Sequence, residues 1–145
     1  MTNAELILEA KKARARAYVP YSHHSVGAAL MTKSGKIYHG CNIENAAYGP
    51  SNCAERTAFF RAVYDGEREF DKIAVVGGLD GTDGNTPCAP CGVCRQVMME
   101  FCDPETFKII LADGEDSQLE YTLRELLPLD FGPDNLAIKK PYDCF

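Results

Sequence analysis

Two short cysteine motifs dominate the chemistry available to this chain: Cys53-Ala54-Glu55 and Pro90-Cys91-Gly92-Val93-Cys94. Three thiolates can occupy three corners of a tetrahedral zinc ion and leave the fourth open for water. Glu55, two residues after the first cysteine, is then placed to move that water's protons. Three thiolates on a dication leave one surplus negative charge, so a nearby cation is expected. Arg56 is a natural donor to thiolate sulfur just outside the ligands, and Arg95 could act in the same way from the second motif.

Cys88 opens a second register, because Pro87-Cys88-Ala89-Pro90-Cys91 is itself a Pro-Cys-x-x-Cys. The Cys91/Cys94 register is preferred, since a Gly-Val spacer can enter a helix, whereas Pro90 forces Ala89 into an extended conformation. On the residues alone, other readings stay open. They are a closed structural zinc site with Cys88 as fourth ligand, a redox dithiol, and accidental spacing. Cys41, Cys102 and Cys144 read as small core residues or free thiols.

Convergent ligands require elements that bring them together. Thr2 and Glu5 form a capping box for a helix from Asn3 to about Tyr18, stopped by Pro20. Leu6, Ile7, Ala10, Ala13, Arg14 and Ala17 recur along it near helical spacing. Val26 to Thr32 and Ile37 to Cys41 read as strands joined by a Lys33-Ser34-Gly35-Lys36 hairpin. Cys53 to about Tyr64 reads as a second helix, with Ser51 and Asn52 as candidate caps and Asp65-Gly66 closing it. Ile73 to Gly77 is a central strand, and Leu79 to Pro90 a loop. A third helix runs from Cys91 or Gly92 to about Cys102. Strands follow at Phe107 to Ala112 and Leu119 to Thr122, then a helical turn or two to Leu127. The ligands therefore fall at two helix starts, where unpaired N–H groups and the helix dipole favour thiolates. The order predicts an α/β fold: one layered domain over residues 1–145, with a mixed sheet and helices on its faces.

Composition narrows the function classes. The chain has 145 residues, 46% of them apolar and 25% charged, as in ordinary globular proteins. No apolar run approaches a membrane span, and no secretory signal opens the sequence, so a cytoplasmic location is the default expectation. Seven cysteines without such a signal point to metal ligands or free thiols rather than to a disulfide framework. A net charge of −6 argues against nucleic acid as a partner. Lys11, Lys12, Arg14 and Arg16 read as a solvated helix face.

Taken together, the chain resembles the small, homo-oligomeric cytidine deaminases. The likeness is carried by Ala17-Tyr18-Val19-Pro20-Tyr21-Ser22 with Val26-Gly27-Ala28-Ala29, by Gly40-Cys41-Asn42-Ile43-Glu44-Asn45-Ala46, and by the two cysteine motifs, which have the general form of zinc-deaminase signatures. The resemblance implies a three-layer α/β/α fold with a mixed five-stranded sheet. It implies one Zn2+ per subunit on Cys53, Cys91 and Cys94, with Glu55 as proton carrier. It implies Asn42 and Glu44 on the ribose hydroxyls, the main chain at Ala54 on the pyrimidine edge, and Phe131 reaching a neighbouring subunit's pocket in a homotetramer. The implied reaction is hydrolytic deamination of cytidine or deoxycytidine in pyrimidine salvage. His24 departs from the family, which commonly has a phenylalanine lining the base pocket there. It reads as a tolerated aromatic exchange. The alternative is a shifted substrate range, toward modified cytosines, nucleotides carrying negative charge, or an aminonucleoside antibiotic such as blasticidin S. His39 reads as structural. The tail after Phe131 fits no pattern.

Overall fold

The computed structural model describes residues 1–138, so Cys144 and the end of the tail lie outside the described residues. Helix α1 spans Asn3–Arg14, strand β1 His24–Thr32, β2 Ile37–Cys41, helix α2 Ala54–Tyr64 and β3 Phe70–Leu79. Helix α3 spans Gly92–Phe101, β4 Lys108–Ala112, β5 Gln118–Thr122 and the short α4 Leu123–Leu126, followed by a 3₁₀ turn at Pro133–Leu136. The strands form one sheet in the order β2-β1-β3-β4-β5. β3 and β4 are parallel, and every other neighbouring pair is antiparallel. The parallel pair needs a crossover, and α3 supplies it.

Alternation along the central strands divides the core into two halves. Ala28, Leu30, Ile73, Val75, Ile109 and Leu111 pack against Ala58, Phe59 and Ala62 of α2 and Cys94, Met98 and Met99 of α3. Ala29, Ala74, Val76, Ile110 and Ala112 face the other way, onto Leu6, Ile7 and Ala10 of α1. The arrangement is the expected three-layer α/β/α fold with a mixed five-stranded sheet. Gly40 lets α2 settle onto β2, since a Cβ there would stand 2.2 Å from the carbonyl oxygen of Ala54. No helix among the described residues is long and apolar enough to cross a membrane.

Several details differ from the sequence reading for physical reasons. Helix α1 stops at Arg14 rather than near Tyr18. Its last turn tightens through Arg16 N–Ala13 O and Ala17 N–Arg14 O bonds, and the Tyr18 amide turns to the carbonyl of Asn42. Strand β3 begins at Phe70 and runs to Leu79, longer than its apolar stretch, because pairing with β1 continues past that stretch at both ends. Ser51 and Asn52 do not cap α2. Cys53 is the N-cap, and no side chain caps the helix. The Ser51 hydroxyl accepts from the Asn45 amide, and Asn52 donates to Thr57 Oγ1.

Candidate active site

Both helices that carry cysteines begin with one. Cys53 is the extended N-cap of α2, and Cys91 is the extended N-cap of α3, with Cys94 one turn on. Neither N-cap side chain closes its own helix end, which leaves the sulfurs free to converge. The Cys53 and Cys91 sulfurs are 3.7 Å apart, and those of Cys91 and Cys94 3.6 Å. All three lie within 4.8 Å of one another. A tetrahedral zinc ion with metal–sulfur bonds of about 2.3 Å has sulfur–sulfur edges of about 3.8 Å. The donor set therefore fits such an ion.

Charge in the cluster points the same way. The Cys53 thiol is lowered to about 5, first by a hydrogen bond from Cys94 and also by Arg56, whose Nη2 lies 3.2 Å from its sulfur. The Cys94 thiol is pushed up by the same bond to Cys53 and by burial. The pair thus carries one negative charge where two thiolate ligands would carry two, and a dication is what would draw the remaining proton off. Arg56 sits against this cluster with its Nε buried and unpartnered. Arg95 does not act as the sequence reading had it. Its Nε donates to the Pro90 carbonyl at 2.8 Å and its Nη1 to that of Leu126 at 2.7 Å, so it braces the approach to Cys91 instead of touching sulfur.

Glu55 is 4% exposed, one residue inside α2. Burial raises its carboxyl to about 7, and the charge of Cys53 adds to the rise. A carboxyl poised near neutrality can both take and return a proton. Ala54, fully buried, opens the helix, and main-chain N–H groups of a first turn have no partner within their helix.

Asn42 and Glu44 follow β2. The Asn42 amide extends the sheet: its Oδ1 accepts from Val26 N at 2.8 Å and its Nδ2 donates to His24 O at 2.9 Å. One Nδ2 hydrogen remains for a ligand. Glu44 Oε1 accepts from the amides of Tyr21 and Ser22, each at 3.1 Å. Hydrogen bonds from Ser22 and Tyr21 hold this carboxylate below its usual range. It lines a cavity of about 330 Å³ with Tyr21, Ser22, Asn45, Tyr48 and Ser51. His24 opens β1, and alternation places it on the same sheet face as Val26, Ala28 and Leu30, the face that carries α2 and α3. Phe131 is 59% exposed, and its carbonyl accepts from Gln96 Nε2 at 2.7 Å, so it is tied to α3.

Cys88 lies outside the three-sulfur group. A Cβ on Gly77 would come within 2.7 Å of its sulfur, so that glycine makes its seat. Burial and the nearby Glu55 push its thiol up. Cys41 bonds to the Arg16 carbonyl, and Cys102 is buried in the core. His39 pairs with Glu9 at 2.7 Å and ties β2 to α1, as a structural histidine would. Two contributors escaped the sequence reading. The Thr57 hydroxyl lies 3.0 Å from the Cys41 carbonyl and 3.2 Å from that of Cys53, joining the strand end to the ligand. Arg14 is the other. Half-buried, it spends its guanidinium on main-chain carbonyls, and its place on the helical stripe with Ala10 and Ala13 was the available signal.

Comparison with known proteins accords with this geometry. Residues 1–110 match the family described as the cytidine and deoxycytidylate deaminase zinc-binding region. A cytidine deaminase of Sporosarcina psychrophila is 51% identical over 133 residues, 92% of this chain and 93% of its own. That of Halalkalibacterium halodurans is 48% identical over 136 residues, 94% and 98%. The crystal structure of cytidine deaminase from Burkholderia pseudomallei superposes with a TM-score of 0.81 at 50% identity, covering 90% of this chain and all of that one. The chain belongs to the cytidine deaminase family.

Proposed function

We propose that this protein hydrolyses the exocyclic amine of cytidine and deoxycytidine, giving the uracil nucleoside and ammonia. The observation that carries the reading is the closure of three cysteine sulfurs beside a buried carboxyl poised near neutral pH. Zinc held by Cys53, Cys91 and Cys94 would supply Lewis acidity and a water of lowered pKa.

The chain's own residues then divide the work. Glu55 accepts a proton from the attacking water and delivers it to N3 of the ring, as the oxygen bonds to C4. Glu55 next takes the hydroxyl proton of the tetrahedral intermediate and passes it to the amine. The C–N bond breaks, and ammonia leaves with its electron pair. One water enters, and the carboxylate ends as it began. Arg56 offsets the surplus negative charge of three thiolates through its bond to Cys53. Asn42, with the Nδ2 hydrogen that its strand contacts leave over, and Glu44, held by the Tyr21–Ser22 loop, bind the ribose hydroxyls. The main chain at Ala54 meets the pyrimidine edge, and His24 lines the base side. Phe131, exposed in the single chain, completes the pocket of a neighbour in a homotetramer. A cytoplasmic role in pyrimidine salvage fits this chemistry.

The test is turnover of cytidine followed by absorbance, with zinc measured on the same sample. Uridine formation with about one zinc per chain is expected for a three-ligand site. Bound zinc without turnover of cytidine or deoxycytidine would refute the assignment of substrate.

A further inference from the structure

Arg14 closes α1 in the most densely bonded side-chain position of the described residues outside the cysteine cluster. Its Nε lies 3.0 Å from both the carbonyl and the hydroxyl of Ser25. Nη2 reaches the carbonyls of Gly78 at 3.0 Å and Leu79 at 2.9 Å, and Thr82 Oγ1 at 3.2 Å. Nη1 donates to the Thr82 carbonyl at 2.8 Å. The fork is thus spent on the start of β1, the end of β3 and the first turn of the following loop. That loop leads to Cys88 and Cys91. Gly84, at φ +74°, keeps the space open, since a Cβ there would stand 2.8 Å from Nη1. Lys11, one turn earlier, donates to Asn85 Oδ1 at 2.7 Å and anchors the same loop further along.

The segment that Arg14 grips is held from its other side by Asn42. The two side chains share three consecutive residues of β1: Asn42 bonds the carbonyl of His24 and the amide of Val26, and Arg14 bonds Ser25 between them. The strand enters this clamp through His23, whose φ of +55° is costly for a residue with a Cβ, and whose carbonyl accepts from the Asp80 amide at 2.7 Å. Without Arg14, the carbonyls of Gly78, Leu79 and Ser25 lose their charged donor, and water would enter between β1 and β3. The orientation of the Asn42 amide depends on the geometry of that strand end.

We propose that Arg14 is a positioning residue for nucleoside binding: it clamps the β1–β3 end so that Asn42 and His24 are presented to the substrate in a fixed register. This rests on the cytidine reading given above. An arginine is required because five N–H donors in a rigid plane serve six acceptors, which a lysine ammonium cannot do.

The experiment compares Arg14→Gln, Arg14→Lys and the milder Ser25→Ala in the zinc-loaded protein. The expected result for Arg14→Gln is a KM for cytidine raised about tenfold, kcat within about threefold, and zinc content unchanged. Arg14→Lys should fall between it and the parent, and Ser25→Ala should move KM in the same direction by less. A loss of thermal stability with unchanged KM would reduce Arg14 to a structural tie and overturn the proposal. Should Arg14→Gln fail to fold, Ser25→Ala decides, and an unchanged KM there is the negative result. Hydrogen exchange separates this from the assignment of activity. The Val26 and Asp80 amides should exchange faster in Arg14→Gln while β4 amides do not, whatever substrate the protein turns over. Equal protection at Val26 in variant and parent would sink the clamp even if cytidine is deaminated.

Discussion

The two faces of the sheet treat their polar groups in opposite ways. On the α1 face, the Arg14 guanidinium finds oxygen acceptors for all three of its nitrogens, and Lys11 and His39 each have an oxygen partner. On the face of α2 and α3, demands are left open. Cys94 resists ionisation, Glu55 sits buried with its carboxyl near neutral, and Arg56 keeps an unpartnered nitrogen. A polar group that has met its partners builds architecture. One that is buried without them waits for a ligand or a proton, and the second region is where the reaction is placed.

That contrast can be broken most forcefully at the ligands. Cys91→Ser or Cys94→Ser should lose bound zinc and lower turnover by several orders of magnitude, read by metal analysis and the absorbance assay. Retention of both would remove the cluster from the mechanism.

The next effect is on stability without metal. The Glu55 carboxyl in the fold lies above its ordinary 4.5, at about 7. The stability it contributes is full below its ordinary value and lost as pH rises through about 7. The difference amounts to about 3 kcal/mol at alkaline pH. Metal-free Glu55→Gln should therefore melt on the order of 10 °C higher than the parent at pH 8 and close to it at pH 4. Equal melting temperatures at pH 8 would mean that the carboxyl is not held at a cost.

A smaller change is expected at Arg56. Arg56→Gln should keep zinc while kcat falls by ~10-fold, since it removes the donor to Cys53 and leaves the ligands in place. Unchanged turnover and zinc retention would leave the surplus charge to the helix dipoles alone. Smallest of all is Cys88→Ser, for which zinc content and turnover should stay within about twofold of the parent. A fall in zinc content would restore the closed four-cysteine site as a rival.

Much of this was legible in the sequence because it rests on local rules. Cys53 and Cys91 at helix starts, the Lys33–Lys36 hairpin, and the strands at Ile37 and Lys108 follow from spacing and punctuation. What escaped depends on contacts between distant segments. Pairing of His24 and Ser25 with Leu79 and Gly78 starts β1 two residues before its apolar run, and the Asn42 side chain braces that end. Arg14 looked like one more exposed lysine or arginine because its partners are main-chain carbonyls, which composition does not reveal. Arg95 has the residue type that could touch sulfur, but Pro90 and Leu126 claim its donors.

The most direct test of the central claim is Glu55→Gln in the zinc-loaded protein, with zinc content and uridine formation measured on one sample. Zinc should stay bound while turnover falls by ~10³-fold, because the amide can keep the shape of the site but cannot carry the proton. Near-parental turnover with zinc in place would contradict it.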